Sequence, residues 1–554
     1  MVSAMSSALP SWTRELIDLY ESGAMSQFIL HGNIGDRLVV ASSQSCHLGS
    51  LDDFLKEVLL AKFDVVLGYD IGNGLRVEKG GDAFAQWPAM KGKALPTTPR
   101  EAIQVLTHYL RFNANLAQLK SGNASRVAVI VRGVDLIAPP SLGAVNYELA
   151  AMAWQLREWG TDSAIRQHHC ASFLLAENLN DIHPLLSANP QTARISIPLP
   201  QAADLELALP LLQKSYSTPL RPYEARLAEP AAVLSGATLH SVETLLKLHE
   251  HRHQELSPAA LVAVKKELVE RDALGLIEFV RPDRTLDDLY GQDSIKKWLR
   301  QDIDLWKQDD LAALPMGYLF CGPVGTGKTF LVECLAGEAG VPVVKMKNFR
   351  DKWVGSTESN LEKIFRLLAA LGRCIVFVDE ADQALGQRNA GAGDSGVSGR
   401  VYGMIAEQMS NSRNRGRIIW ALATSRPDLV EVDLKRPGRV DVKIPIFPSG
   451  TSEEGYSLLR ALTKRRGLDL PAKLPAGLAA SFPDLLTPGA AEALSVKVYR
   501  SLKTGSASPE AALADGLDDY QPPVRLEILK AQIDLAVAEA SDLSFVPERF
   551  RRPA

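Results

Sequence analysis

Apolar residues along this chain fall into short unbroken runs bounded by turn residues, with helix-spaced stretches between them. Tyr318-Leu319-Phe320-Cys321 and Cys374-Ile375-Val376-Phe377-Val378 show no polar alternation, the pattern of strands buried on both faces. Phe330 to Glu338 reads as a helix, as does Val524 to Ala540, where Leu526, Leu529, Ile533 and Val537 share one face. The first half carries similar runs: Phe28-Ile29-Leu30, Val127 to Val131, Ala171 to Ala176 and Ile195 to Leu199. Asp64–Asp70 and Gly74–Val77 bracket Ile71-Gly72-Asn73, a hairpin signal. Residues 85–122 read as loop and then helix. Leu205–Tyr216, started or kinked at Pro210, and Leu239–Glu250 read as helices of a small bundle. Ala259–Ala273 reads as a linking helix with Leu261, Val264 and Leu268 on one face. Strands alternating with helices point to an α/β fold with parallel sheets.

The chain has 554 residues, too many for one core. Four segments are expected: an α/β domain over 1–202, a helical lid and linker over 203–283, a second α/β core over 284–448, and a helical lid with a C-terminal helix over 449–554. Hydrophobic residues make up 46% and charged residues 23%, as in ordinary soluble domains. A formal net charge of −4 gives no general pull toward nucleic acid or anionic membrane, and no run is long enough to span a bilayer. The first residues lack a basic segment leading into an apolar one, so a cytoplasmic location is expected. Cys46, Cys170, Cys321, Cys334 and Cys374 lack metal-ligand spacing and fit a reduced interior; Cys321 and Cys374, which flank the nucleotide motifs, read as small buried core residues. His249, His251 and His253 alternate on a helix and do not converge; a solvated face is expected. The basic end Glu548 to Arg552 is short and reads the same way.

Gly322-Pro323-Val324-Gly325-Thr326-Gly327-Lys328-Thr329 lies between a strand and a helix. Its glycines let backbone N–H groups close around phosphate oxygens at a helix N-terminus. Lys328 would reach the β/γ-phosphates of ATP, and Thr329 would offer a hydroxyl to Mg²⁺. About fifty residues on, the apolar strand ends in Asp379 and Glu380. The first acid suits Mg²⁺ and the second suits polarisation of an attacking water.

With these motifs in order, residues 284–515 resemble the AAA module of the AAA+ ATPase superfamily. Leu286 to Gly291 resembles the entry segment beside the adenine, with Gly291 at the base. Ala423 to Asp428 resembles the sensor-1 strand end, with Ser425 facing the γ-phosphate. Lys435 to Asp441 resembles the arginine-finger segment. Leu486 to Glu492 resembles the lid motif, with Gly489 and Ala490 near base and ribose, and Phe330 follows the phosphate loop. The resemblance implies that Arg436 and Arg439 act on a neighbouring subunit, hence a ring, six-fold by the family pattern. It also implies that Lys352-Trp353-Val354-Gly355 lines a central pore and grips an unfolded protein client, Trp353 offering a large amphipathic contact. Gly386 to Gly399 reads as a second pore loop or a linker. Two positions depart from the family: Ser425 stands where Asn is usual, and Ala491 where Asp is frequent.

The first half then reads as a degenerate copy. Phe28 to Arg37 resembles the strand–loop–helix boundary but lacks the Lys-Thr pair. Arg132 and Gly133 stand where Asp379 and Glu380 stand, and Asn178 stands opposite Ser425. An arginine at the metal acid's place repels a cation, leaving at most a weak phosphate site in the glycines. This layout resembles cyanobacterial, plastid and other bacterial AAA proteins named from open reading frames. The expected protein is a ring-forming Mg-ATPase that remodels or threads protein. An ATP-gated assembly scaffold with slow turnover is the alternative. A nucleic-acid motor is disfavoured by the acidic balance and the lack of a basic-aromatic platform.

Overall fold

The computed structural model describes residues 9–41, 46–119, 125–140, 146–167, 170–258, 260–261, 265, 270, 273, 277–280, 282–347, 357–385, 395–518 and 520–551. The chain folds into two compact units: residues 1–269 with 358–370, and residues 270–357 with 371–554.

In the first unit the apolar runs become β1 (Gln27–Gly32), β4 (Val65–Asp70), β6 (Val127–Arg132), β7 (Cys170–Ala176) and β8 (Ala193–Ile197). With β5 (Gly74–Lys79) they form a sheet of order β5-β4-β6-β7-β1-β8, parallel throughout except for the β4–β5 hairpin. Successive side chains point to opposite faces, so one sheet feeds two cores. Ile29, Leu67 and Val129 pack with the helix Pro99–Gln118 on one side. Phe28, Val66 and Ala128 pack with Trp12, Phe54 and Leu55 on the other. A small helical bundle follows, with Leu205, Leu209, Leu234, Val242 and Leu246 at its centre. Its first helix, Ala202–Gln213, runs through Pro210 rather than starting there.

The second unit repeats the plan. Its strands are β9 (Ile277–Val280), β10 (Gly317–Cys321), β11 (Val343–Met346), β12 (Cys374–Val378), β13 (Ile418–Thr424) and β14 (Val442–Pro445). The order β9-β11-β12-β13-β10-β14 matches the first sheet strand for strand, including one antiparallel edge, β9 against β11. The edge strands differ in origin: β5 follows its partner through a hairpin, whereas β9 precedes its own along the chain. The lid helices Ser452–Arg465, Pro488–Thr504 and Pro509–Asp518 share a separate core around Leu459, Leu494 and Leu513. The helix Leu526–Glu539 closes the unit.

One expectation needs correction. After β1 the chain does not enter a helix. It forms β2 (Arg37–Ala41) and β3 (Cys46–Ser50), an antiparallel hairpin. Leu38-Val39-Val40 prefers extended backbone, since β-branched side chains are stiff at χ1. The degenerate loop therefore has no helix N-terminus behind it and offers no phosphate cradle of the kind the glycines suggested.

Cys321 and Cys374 are buried, as read; Cys170 and Cys334 are buried too, while Cys46 is exposed. No described helix is long and apolar enough to cross a membrane. Lys352, Trp353, Val354 and Gly355 lie outside the described residues, as do Gly386 to Asp394 and most of the linking helix expected at Ala259–Ala273.

Candidate functional site

The phosphate loop hangs between β10 and the helix Lys328–Ala339, which begins at Gly327 in the left-handed region. Gly322 packs so tightly on β14 that an added Cβ would stand 2.1 Å from the Ile446 carbonyl oxygen. Only a residue without a side chain fits there. Lys328 Nζ donates to the carbonyls of Gly322 (2.8 Å) and Pro323 (2.9 Å), so its charge is held by the loop itself. Burial pushes the Lys328 ammonium down to about 8, with Asp379 acting against the shift.

Thr329 Oγ1 donates to Asp379 Oδ2 at 3.2 Å, although fifty residues separate the two in sequence. A hydroxyl and a carboxylate in contact are hard oxygen donors of the kind Mg²⁺ takes alongside phosphate and water. The residues present thus fit the ion. Lys345 Nζ lies 4.0 Å from the same carboxylate oxygen, and the same ammonium sits over the Phe377 ring, 5.8 Å from its centroid. Glu380 follows with φ 48° and ψ 49°, a left-handed backbone that is strained by roughly 1–2 kcal/mol in a non-glycine residue. Its N–H donates to Asp379 Oδ1 at 3.0 Å, and its side chain is exposed to the cleft.

These groups line a cleft of about 480 Å³ with Val324, Gly325, Ser425, Pro488 and Gly489. Two lining residues lie outside every motif read from sequence, Asp382 and Gln383, and Thr424 lines the cleft beside Ser425. Thr424 Oγ1 donates to Asp382 Oδ1 at 2.6 Å and accepts from Arg426 N at 2.9 Å, fixing the strand end that carries Ser425. The signal for Asp382 was its place one turn after Asp379, at the start of a short helix. The lid touches the loop directly, Gly489 N donating to Gly325 O at 2.9 Å. Thr487 caps the lid helix by accepting from Ala490 N, and Ala490 is buried. From Pro488 a second cavity of about 850 Å³ continues past Tyr290, Gly291 and Leu458. Its far wall is the chain end, where Phe550 stacks on Phe447 with centroids 4.9 Å apart. Phe330 faces away, under the Arg284 guanidinium at 4.9 Å.

Arg436 and Arg439 do not line the cleft. Both bind Asp433: Arg436 at 2.7 Å, and Arg439 through the carboxylate and the carbonyl. These bonds hold the Asp433 carboxyl below its usual range.

The corresponding place in the first unit is closed by its own side chains. Asp36 Oδ2 and Oδ1 accept from Leu239 N (2.8 Å) and His240 N (2.9 Å), and Asn33 donates to the same carboxylate at 3.0 Å. An acid of the degenerate loop thus caps the helix Leu239–His251, the end at which an anion is favoured. Thr238 Oγ1 takes the next donor, Ser241 N, at 3.2 Å. Arg132 does not face an open cleft; it binds Asp52 and Glu78, with Lys56 on the same two acids. Arg366 fills the space beside Gly32, donating to Glu177 O at 2.9 Å and Asn178 Oδ1 at 3.0 Å. Burial, then Arg366 and Arg194, lower the His31 imidazole to about 4, so it is neutral at physiological pH.

Comparison with known proteins agrees with this two-part picture. Residues 3–198 match the family described as AAA+ chaperone, N-terminal Rossmann-like domain. Residues 318–447 match the ATPase family associated with various cellular activities (AAA). The chain is similar to the ATP-dependent zinc metalloprotease FtsH of Acidothermus cellulolyticus, 33% identical over 34% of this chain and 29% of that protein. FtsH 3 of Symbiobacterium thermophilum is 39% identical over 29% of this chain and 27% of its own length. The peroxisomal ATPase PEX6 of Kluyveromyces lactis is 29% identical over 34% and 20%. The chain thus spans less than a third of each of these relatives. The two matched segments, an AAA+ N-terminal Rossmann-like domain and an AAA domain on two sheets of one plan, are consistent with a two-part AAA+ protein.

Proposed function

We propose that this protein is a Mg-ATP-dependent ATPase that works as a ring and remodels or threads protein. The observation that carries the reading is the meeting of Lys328, Thr329, Asp379 and Glu380 in one cleft while Arg436 and Arg439 stand outside it. Backbone N–H groups of the loop and the Lys328 ammonium bind the ATP phosphates, and Gly291 and Gly489 flank the base and ribose. Thr329 and Asp379 would hold Mg²⁺, which when bound neutralises charge on the β- and γ-phosphates. Glu380 orients a water and takes its proton as the water attacks the γ-phosphorus. Ser425 bonds the γ-phosphate or that water. Arg436 and Arg439, released from Asp433, stabilise charge on a neighbour's transferring phosphoryl group, an effect worth about 10³–10⁵ in rate. Trp353, with Lys352, Val354 and Gly355, grips the client.

The test uses the full chain. Glu380→Gln is expected to bind ATP, assemble and barely hydrolyse it, and Lys328→Ala is expected to lose binding. Trp353→Ala is expected to keep basal turnover and lose client-stimulated work. Turnover in Glu380→Gln equal to the parent protein refutes the assigned role. A second reading rests on Ser425, whose hydroxyl reaches less far than the usual amide. On that reading ATP gates a scaffold, and function survives Glu380→Gln but not Lys328→Ala.

A further inference from the structure

The helix Leu526–Glu539 lies beyond both matched segments, yet its buried face is not purely apolar. Leu529, Ile533 and Ala536 form the expected stripe. Gln532 and Glu539 interrupt it, and each reaches a different part of the nucleotide machinery. Gln532, 8% exposed, accepts at Oε1 from Val324 N of the phosphate loop at 3.2 Å. One turn on, the Ala536 carbonyl faces Cys321 Sγ at 3.9 Å, under the loop's entry. Glu539 binds Lys435 Nζ at 3.2 Å and Lys443 Nζ at 2.9 Å. Lys435 directly precedes Arg436, and its ammonium also donates to Pro427 O, just past the strand end of Ser425, at 2.9 Å. The strap continues at Ser541, whose N–H and hydroxyl both pair with the Lys443 backbone.

We propose that this helix is a strut, with Gln532 and Glu539 as positioning residues for ATP hydrolysis. Gln532 and Glu539 are two turns apart, roughly 10 Å at 1.5 Å per residue. One rigid rod therefore registers the loop that holds a protomer's own nucleotide against the turn that offers arginine to its neighbour. Packing alone does not call for this arrangement. A half-buried carboxylate between two ammonium groups is often no more stable than apolar side chains of the same volume. What it supplies is geometry, since the carboxylate fixes the lysine that leads into Arg436. This inference rests on the arginines acting across a subunit boundary, as proposed above.

The experiment measures ATP turnover against ATP concentration, with binding of a fluorescent ATP analogue and a thermal melt as folding controls. Glu539→Gln preserves shape and removes the charge. Its kcat is expected to fall five-fold or more, with KM, analogue affinity and melting within the parental range. Glu539→Asp is expected to recover part of the loss. The deciding arm mixes parent protein with excess Lys328→Ala or excess Lys328→Ala/Glu539→Gln, so that active sites face only the dead partner's arginines. Turnover per active site is expected to be lower beside the double variant. Equal turnover in the two mixtures, with Arg436→Ala/Arg439→Ala strongly impaired, overturns the strut and leaves the ring reading intact. No impairment in the double arginine variant overturns the ring reading itself, and the strut with it. A fall in analogue affinity matching the fall in kcat reduces Glu539 to a folding contact and overturns the positioning role.

Discussion

Replacing Asp36 by alanine tests whether the first unit carries its own substitute for a bound anion. Asp36 is 5% exposed and serves the first two backbone donors of the helix Leu239–His251. Losing a helix cap costs about 0.5–2 kcal/mol. The Leu239 N–H is buried, and leaving such a donor unpaired costs about 1–3 kcal/mol. The loss of a negative charge at the helix N-terminus falls within the same range and is not counted twice. The expected local destabilisation is about 2–4 kcal/mol, or roughly 30- to 1000-fold faster exchange through local opening. Hydrogen exchange of the full chain reads this directly at amides of residues 239–246. Asp36→Asn keeps one acceptor and should cost about half as much. In the parent protein, ATP should leave protection in this helix unchanged, because its N-terminus is already occupied. Unchanged exchange in Asp36→Ala, or protection of this helix by ATP in the parent protein, refutes the reasoning.

Gly322→Ala places a Cβ 2.1 Å from the Ile446 carbonyl oxygen, so the loop must shift; ATP affinity is expected to fall at least ten-fold in equilibrium binding. Lys328 has a folded pKa near 8 against an ordinary 10.5, so the nucleotide-free protein bears an unfavourable buried charge below pH 8. That destabilisation fades as pH rises from 8 to 10.5. Bound ATP stabilises the charged form, so binding near pH 8.5 should take up protons, which calorimetry in buffers of different ionisation enthalpy detects; uptake by Lys328 should vanish near pH 6.5. Phe550→Ala removes the ring stacked on Phe447 at the far wall of the larger cavity. A stacked pair is worth about 0.5–1.5 kcal/mol, so denaturant unfolding should show a local loss of stability of about that size, and an unchanged unfolding midpoint would refute it.

The central strands were legible because buried parallel strands read as bare apolar runs, as for β1, β6, β7 and β8 of the first sheet and β10 and β12 of the second; β9 and β11 are too short and carry too little pattern to be marked. The phosphate loop and the acids that follow β12 were legible as motifs because the spacing within each is local, and the structure brings Thr329 and Asp379 into contact. What stayed hidden was either tertiary or a contest between local signals. Gly32 and Gly35 suggested a phosphate loop entering a helix, but the extended preference of Leu38-Val39-Val40 prevailed and built a hairpin. Nothing in the sequence marked Asp36, since its partners lie two hundred residues away. The amphipathic face of the last helix was visible; that Gln532 reaches Val324 and Glu539 reaches Lys435 was not, because no periodicity reports what a polar side chain meets. Arg132 was expected to repel a cation, and its neighbours Asp52 and Glu78 show where its charge goes instead.

The left-handed backbone of Glu380 sets heat resistance against turnover at a single position. Glycine or asparagine adopts that backbone more easily, so either replacement should raise the melting temperature slightly while removing the carboxylate proposed to receive the water's proton. A screen for stability alone will enrich inactive proteins here. An engineer improving this chain must therefore select on phosphate release as well as on survival of heating.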